Sequence, residues 1–382
     1  MSWNDVADVV VVGAGGAGLM AAIAAGRERL RLGFPSAPPP IVLLDSRNKV
    51  GAKILISGGT RCNVTNKTVT VSDYEGGPKH FLRHVFDAFT PEETIRFFEE
   101  IGVELVLEPT GKYFPTTHSG RTVLEALLKE LERVAVPLKN PVKVTEIQKK
   151  ENGFELISDQ GPLSARRVVL ATGGLSYPET GSDGTGLLIA RKFGHTLLPT
   201  APALTPLLSD DEDWSALSGL TLEDVRLDFY FEGRKRASSR GGFLFTHFGF
   251  SGPAALDISR HWALADPDRK PQIVADFLPV NDERRLPKRF FETLRKKCAK
   301  GTGKQISHYP LEVKGVFGYK KAEVTAGGVD LKEVKVSTLE SKIVPGLFFA
   351  GEILDVDGRI GGFNFQWAWS TGVLAGRGAM KR

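Results

Sequence analysis

The chain has 382 residues, of which 41% are hydrophobic and 25% charged, a composition typical of a soluble globular protein with two or three domains. Two cysteines, Cys62 and Cys298, are too few for a disulfide framework or a zinc ribbon, so we expect a cytoplasmic protein without a metal site. The net charge of +5 permits anionic ligands without requiring nucleic acid.

The first predicted elements are a strand, a tight turn and a helix within Val9–Gly26. β-Branched residues lead into a G-x-G-x-x-G motif, and alanines of high helix propensity follow it. Such glycines bend the turn and let the backbone approach a pyrophosphate, whose charge the helix N-terminus then stabilises. The segment is uncharged, but its glycines, the preceding Asp8 and the lack of a basic flank argue against a membrane span. The predicted dinucleotide contacts are Gly13, Gly15, Gly16, Ala17 and Gly18.

A second apolar strand, Ile41–Leu44, ends at Asp45, which is followed by Ser46. A carboxylate at this position accepts hydrogen bonds from the ribose of FAD or NAD, and it usually lies about 20 residues beyond the glycine turn. The separation here is 45 − 13 = 32 residues, and the proline-rich loop Gly33–Pro40 accounts for the excess. Asp45 and Ser46 therefore extend the predicted adenosine diphosphate site.

The polar, glycine-rich run from Ser46 to Asn66 is a third candidate segment. Its small residues would let backbone amides face a flat or charged ligand, and its cations could neutralise phosphate. A plain solvated loop is the alternative, and a redox thiol is not favoured because no second cysteine is nearby. The predicted contacts are Lys53, Ser57, Gly58, Gly59, Arg61, Cys62 and Asn63.

Together these motifs resemble the BaiN-type, or aminoacetone oxidase, family of FAD-dependent oxidoreductases. The resemblance rests on the glycine motif, the acid that ends the second strand, and the run KILISGGTRCNVTN from Lys53 to Asn66. This chain has Asp45 where the family usually has Glu, and Thr60 where it usually has a third glycine. The resemblance implies that FAD is bound non-covalently and exchanges a hydride with a small organic substrate, while NADH, NADPH or oxygen completes the cycle.

The next predicted elements alternate between helices and strands. Apolar spacing predicts helices within Asp73–Gly102, with Pro91 starting a new one, then a strand at Gly102–Glu108 and a helix at Thr122–Val134. An antiparallel meander is predicted over Val142–Ile147, Gly153–Ser158 and Leu163–Leu170.

The last of these strands ends in a second glycine pair. An apolar strand that runs into Ala-Thr-Gly-Gly brings bare backbone close to a dinucleotide, as in many flavoproteins that bind two dinucleotides. The predicted contacts are Ala171, Thr172, Gly173 and Gly174.

The pattern changes between residues 197 and 320, where prolines cluster and short alternating strands follow. The basic stretch Glu283–Lys300 could touch RNA, but a solvated helix face is the favoured interpretation. His247, Ser251 and Asp257 are the residue types of a hydrolytic triad, although Pro253 replaces the last glycine of a nucleophile elbow. We therefore predict His247 as a proton donor instead.

A third site follows the strand predicted at Ile343–Ala350. Glycine and an acid end this strand, and a second glycine pair precedes a helix whose N-terminal amides would face the N1–C2=O edge of a flavin. Arg359, Ile360 and Phe365 depart from the usual family pattern, as does Phe363. The predicted contacts are Gly351, Glu352, Gly361, Gly362, Phe363 and Asn364.

The sequence thus predicts an α/β fold: a doubly wound, Rossmann-like, two-dinucleotide-binding FAD domain formed by residues 1–196 and 321–382. Residues 197–320 are predicted to form an inserted β-rich domain with a small helical part. The predicted function is an FAD-dependent oxidoreductase acting on a small molecule, without a membrane or nucleic-acid partner. Two alternatives are a flavin-dependent tRNA-modifying enzyme and a flavoprotein redox sensor without turnover.

Overall fold

A computed structural model describes residues 6–33, 41–277, 286–297 and 306–381. It divides into two compact units, Met1–Leu198 with Gly327–Arg382, and Pro199–Ala326. That residues 197–320 form an independent domain stays a prediction. None of the helices in the described ranges is long and apolar enough to cross a membrane.

The elements follow one another along the chain with short connections. The strands are β1 (Ala7–Val12), β2 (Ile41–Leu44), β3 (Thr65–Asn66), β4 (Tyr74–Gly76), β5 (Leu105–Leu107), β6 (Lys112–Pro115), β7 (Leu138–Lys139), β8 (Val144–Lys150), β9 (Gly153–Ser158), β10 (Gly161–Leu170), β11 (Leu197–Ala203), β12 (Leu207–Leu208), β13 (Thr221–Phe231), β14 (Arg234–Thr246), β15 (Gly249–Ser251), β16 (Gln272–Asp276), β17 (Tyr309–Leu311), β18 (Gly315–Val316), β19 (Val324–Val329), β20 (Leu347–Phe349) and β21 (Val356–Gly358). The helices are α1 (Gly16–Arg31), α2 (Ala52–Ile56), α3 (Lys79–Ala88), α4 (Pro91–Glu100), α5 (Gly120–Arg133), α6 (Thr185–Lys192), α7 (Glu212–Ser215), α8 (Pro253–Leu264), α9 (Lys288–Lys297) and α10 (Phe363–Met380).

The main sheet of the first unit has the order β7-β2-β1-β10-β9-β8, and β20 also pairs with β10. Strands β7, β2, β1, β10 and β20 are parallel, whereas β8 and β9 continue from β10 as an antiparallel meander. β1 and β2 are almost wholly apolar and buried, as expected of parallel strands covered on both faces. The carboxyl ends of β1, β2, β10 and β20 consequently lie along one edge of the sheet.

Helices α1 and α10 pack closely because small residues line their contact. A Cβ atom on Gly372 would lie 2.6 Å from the Ala17 carbonyl oxygen, and one on Gly376 would lie 2.2 Å from that of Ala21. This contact joins the first helix of the chain to the last one. The N-terminal turn of α10 is thereby positioned next to the sheet edge that ends β1.

Two small sheets complete the first unit. One has the order β3-β6-β5, and the other pairs β4 with β21. Tyr74 of β4 packs its ring on Phe86 of α3 and donates a hydrogen bond to the Phe363 carbonyl at the start of α10. The two sheets therefore surround the beginning of α10.

The second unit is built on a seven-stranded sheet of order β17-β16-β13-β14-β15-β12-β18. Its core is aromatic: Trp214 stacks with Phe245 and Phe290, with ring centroids 5.3 and 5.9 Å apart. β11 and β19 pair with each other, and the division between the units falls within both strands.

Several element predictions need correction. Tyr74–Gly76 is a strand rather than part of a helix, because it pairs with β21. The strand predicted at Gly102–Glu108 is limited to Leu105–Leu107. The loop at Pro35–Pro40, Cys298 and both ends of the predicted basic stretch, including Arg284 and Arg285, lie outside the described residues.

Candidate functional site

The turn between β1 and α1 depends on glycine at two positions. Gly13 has a φ of +103°, and a Cβ atom there would lie 2.5 Å from the Ala171 carbonyl oxygen. A Cβ atom on Gly18 would lie 1.7 Å from the Gly13 carbonyl oxygen, whereas one on Gly15 would meet nothing within 4 Å. The turn is therefore closed on its inner side and open at Gly15, where α1 begins.

Asp45 lies beside this turn, as its position at the end of β2 predicts. Its carboxylate accepts hydrogen bonds from the backbone N–H groups of Ala14, at 2.6 Å, and Arg47, at 2.8 Å. Burial raises the pKa of the Asp45 carboxyl, and these two hydrogen bonds oppose the rise. Ser46 follows it, with its hydroxyl near Gly181.

Lys53, Ser176 and Glu352 bring three distant segments together. The Lys53 amine is 2.7 Å from both the Ser176 hydroxyl and the Glu352 carboxylate, and the Ser176 hydroxyl donates to Glu352 at 2.5 Å. Lys53 and Glu352 were predicted site residues, but Ser176 was not. The sequence run that resembles the flavoprotein family includes Ser176, so that run was the available signal.

The turn after α2 has an unusual backbone. Gly58, Gly59 and Thr60 have φ values of +56°, +68° and +70°, and Cys62 has +60°. Ser57 caps α2 by donating its hydroxyl to the Ile54 carbonyl. The Thr60 carbonyl accepts from the Gly120 N–H, which joins the turn to α5.

Arg61 and Cys62 have structural partners in this turn. The Arg61 guanidinium forms an ion pair with Glu108 at 2.6 Å and lies over the Phe114 ring, 4.0 Å from its centroid. Cys62 is fully buried, and burial raises the pKa of its thiol to about 12. The thiol is therefore protonated at neutral pH, which argues against a redox role.

The glycines after β10 lie against the first turn. The backbone at Ala171 and Thr172 approaches Gly13 as described above. The Thr172 hydroxyl is buried and has no hydrogen-bond partner among the described residues. Gly173 adopts a φ of +73°, and Gly174 is buried behind it.

Gly351 places the end of β20 beside α1. A Cβ atom on Gly351 would lie 2.6 Å from the Cβ of Ala17, and the Gly351 N–H donates to the Thr371 hydroxyl of α10. The β20 end and the glycine turn are therefore in direct contact.

The start of α10 is held by two asparagines. A Cβ atom on Gly362 would lie 2.8 Å from the Asn63 side-chain oxygen, which is buried and has no hydrogen-bond partner in the described structure. The Asn66 amide donates to the Gly361 carbonyl at 2.9 Å. Asn66 was not predicted, and its position in the run from Lys53 to Asn66 was the only signal for it.

The predicted contacts that follow Gly362 make local bonds. The Asn364 side chain closes the loop that precedes α10 by pairing with the N–H and carbonyl groups of Gly358, both at 2.8 Å. Phe363 is buried and carries the Arg359 guanidinium over its ring, at 4.3 Å. Arg359 also pairs with Asp73 at 2.7 Å.

These contacts form one continuous chain through the first unit. They connect Asp45 to the glycine turn, the turn to the β10 and β20 ends, and Lys53 to Glu352, while Asn63 and Asn66 reach the start of α10. The open position at Gly15 and the unpaired buried oxygens of Thr172 and Asn63 provide the room and the polar groups that a long dinucleotide would need. The described residues therefore fit FAD.

His247 lies in the second unit, exposed in the turn between β14 and β15. Its ring contacts Phe248, with centroids 4.9 Å apart. The role of His247 as a proton donor stays a prediction. A search of the described residues for three metal-ligating side chains in one place finds none.

The basic residues of α9 are largely engaged within the second unit. Lys296 pairs with Asp213, Lys297 pairs with Asp211, and Arg289 donates to the Ala216 carbonyl. The pairing with two aspartates weakens the positive field that nucleic acid would need.

The parallel sheet, the glycine turn at its edge and the carboxylate on β2 define a flavoprotein with a Rossmann-type FAD-binding domain. Residues 7–378 match the model of the HI0933-like protein Rossmann domain. The chain belongs to this family of FAD-dependent oxidoreductases, which confirms both the predicted fold class and the predicted family.

Relatives match over almost the whole chain. One is a 3-dehydro-bile acid delta(4,6)-reductase of Clostridium scindens, 33% identical over 97% of this chain and 98% of the relative. Another is a ribosomal RNA dihydrouridine synthase of Escherichia coli, 31% identical over 95% of this chain and 96% of the relative. The second relative leaves an interaction with nucleic acid open, contrary to our expectation from the sequence.

Solved flavoenzyme structures share the fold. A 3-ketosteroid-Δ4-(5α)-dehydrogenase from Rhodococcus jostii aligns over 100% of this chain and 98% of its own, with a TM-score of 0.56 and 16% identity. A flavocytochrome c3 fumarate reductase aligns over 99% of this chain and 78% of its own, with a TM-score of 0.51 and 18% identity.

Proposed function

We propose that this protein reduces a carbon–carbon double bond conjugated to a carbonyl group, using non-covalently bound FAD and a reduced nicotinamide. The observation that carries the proposal is the convergence of the five predicted contact segments on one side of the first unit. The substrate class comes from the relatives: a 3-oxo group beside a Δ4 double bond is an enone, and dihydrouridine is uridine saturated at a double bond conjugated to a carbonyl. The two names thus share one kind of reaction.

The residues of the first unit would divide the work of holding the cofactor. Asp45 would accept hydrogen bonds from the ribose hydroxyls, and the amides at the start of α1 would bind the pyrophosphate. The amides at the start of α10 would face the ring edge where negative charge develops on reduction. FAD bound in this way supplies hydride transfer, with NADH, NADPH or oxygen as its second reactant.

Cofactor binding is tested by purifying the protein gently and measuring its visible absorption and its FAD content. The wild-type protein should be yellow and retain FAD. Asp45→Ala should weaken FAD binding about tenfold or more, because a charge-assisted hydrogen bond is lost. The matched control Asp183→Ala removes an exposed carboxylate and should leave FAD affinity unchanged. A colourless wild-type protein that does not take up FAD would refute the proposal.

The reaction is tested by anaerobic stopped-flow mixing. NADH and NADPH are compared as reductants, and the reduced protein is then mixed with a 3-oxo-4-ene steroid, an RNA lacking dihydrouridine, or oxygen. Rapid reoxidation by a conjugated substrate supports the proposal. Reoxidation by oxygen alone would limit the protein to an oxidase, and reducible flavin without turnover by any acceptor would favour a redox sensor.

An RNA-modifying activity is the second candidate function, favoured by the dihydrouridine synthase relatives. It predicts binding to ribosomal RNA that weakens steeply with salt. Because Asp211 and Asp213 engage two α9 cations, we do not assign that binding to α9. Equal retention of RNA by the wild type and by a Lys288→Ala/Arg295→Ala variant would agree with this.

A further inference from the structure

The small sheet β3-β6-β5 presents one face to the start of α10 and to the turn after α2. Asn66 pairs directly with Lys112 in this sheet, and residues directly opposite each other in an antiparallel pair share a face. Phe114 lies two positions beyond Lys112 on β6 and therefore shares that face too. Lys112, Asn66 and Phe114 thus belong to one surface.

This surface adjoins the ring end of the candidate cofactor site. Asn66 donates to the Gly361 carbonyl, next to the first residue of α10. The Phe114 ring lies 3.1 Å from the position that a Cβ atom on Gly58 would take. Lys112 therefore sits on the same side of the sheet as the two glycine segments that are proposed to flank the flavin.

The two cations of this region differ in their pairing. Arg61 is bound to Glu108 and stacked on Phe114, so its charge is already engaged. Lys112 is half-buried, and no carboxylate in the described parts of the chain forms an ion pair with it. An unengaged ammonium group at the edge of a partly enclosed site can bind an oxyanion more strongly than one in open water.

We propose that Lys112 binds the carbonyl oxygen of the substrate and stabilises the enolate that forms there, an inference that rests on the proposed reduction. Hydride addition to the carbon β to the carbonyl moves the π electron pair onto oxygen, and a proton then adds to the α carbon. The reduced nicotinamide supplies the hydride and leaves oxidised, so the electrons balance. A cation placed at the oxygen acts mainly in the transition state, where the negative charge appears.

The test uses 4-chlorophenol, whose planar phenolate resembles the enolate and undergoes no turnover. Its dissociation constant for the FAD-loaded protein is measured from the long-wavelength absorption that phenolates produce beside oxidised flavin. Lys112→Met should bind the phenolate about ten- to a hundredfold more weakly, and Lys112→Arg should recover most of the affinity. The matched control is Lys67→Met, which removes an exposed lysine one position beyond Asn66 and should bind like the wild type.

Three results would overturn the inference: wild-type phenolate affinity in Lys112→Met, an equal loss in Lys67→Met, or loss of FAD itself from a folded Lys112→Met protein. The last result would assign Lys112 to the cofactor instead of the substrate. Because phenolate binding needs no turnover, the two proposals fail separately. Loss of phenolate binding in Lys112→Met without reduction of any conjugated substrate would support the oxyanion site and refute the proposed function.

Discussion

Cys62 shows how burial decides the chemistry of a single side chain. Its thiol is enclosed beneath the turn after α2, and its pKa is raised to about 12. In a Cys298→Ser variant, which leaves one cysteine, we expect no labelling by iodoacetamide at pH 8 in the folded state. Full labelling should follow in urea. Mass spectrometry measures both, and rapid labelling of the native protein would contradict the enclosed position of Cys62.

Residues near one another in sequence were the easiest to predict. The glycines of the first turn and Asp45 follow from local patterns, since a buried strand must be followed by a turn and the next strand ends beside it. Ser176 and Asn66 could not be derived in the same way. Their partners Glu352 and Gly361 lie 176 and 295 residues away, and one serine or asparagine carries no local sign of such a contact.

Between elements, the contact of α1 with α10 leaves no space for additional atoms. We predict that Gly376→Ala lowers the free energy of unfolding by about 1–3 kcal/mol, because its Cβ would lie 2.2 Å from the Ala21 carbonyl oxygen and must push the helices apart. Urea denaturation measures the change. Arg377→Ala, at the exposed neighbouring position, should alter stability by less than about 0.5 kcal/mol.

The turn after α2 contains a residue whose backbone is strained. Thr60 has a φ of +70°, a conformation that costs a non-glycine residue about 1–2 kcal/mol. Thr60→Gly should therefore raise the thermal unfolding temperature slightly or leave it unchanged, despite the greater flexibility of glycine in the unfolded chain. Gly59→Ala, at a φ of +68°, should lower it. A clear loss of stability in Thr60→Gly would show that the Thr60 side chain stabilises the turn.

This backbone also explains a departure from the family pattern. A third glycine is usual at the position of Thr60 because the turn requires left-handed conformations at consecutive residues. The Thr60 hydroxyl donates to the Gly59 carbonyl at 2.6 Å, a local bond that offsets part of the strain.

Elements defined by their own periodicity were predicted well, and elements defined by distant pairing were not. The amphipathic helix at Thr122–Val134 and the strand at Gly153–Ser158 correspond to α5 and β9. β4 was read as helix because its three residues carry no alternation of their own. It is a strand because β21, from the other end of the chain, supplies its hydrogen-bond partners.

At the scale of the molecule, a buried histidine joins the segments that leave and re-enter the first unit. The His195 ring lies 3.1 Å from the Glu333 carboxylate and 2.8 Å from the Ser341 hydroxyl. Burial lowers the pKa of His195, although Glu333 opposes this. The pKa of Glu333 is lowered overall: burial would raise it, but hydrogen bonds from Thr196 and the nearby His195 outweigh that effect.

These shifts predict that acid destabilises the protein. Below about pH 6.5 the unfolded chain protonates His195 while the native ring resists, so the free energy of unfolding should fall as pH decreases from 7 to 5. The contribution of His195 is at most about 1.4 kcal/mol per pH unit. Urea denaturation across this range should give a shallower pH dependence for His195→Asn. An unchanged slope would show that His195 protonates equally in both states.

The order of the segments also bears on how the protein is made. β20 pairs with β10, and α10 packs on α1, yet β20 and α10 are translated after the whole second unit. The ribosome must therefore release nearly the entire polypeptide before the last wall of the nucleotide cleft exists. Cofactor loading is then a late event in biogenesis, and a premature stop codon before residue 363 would leave a product unable to mature.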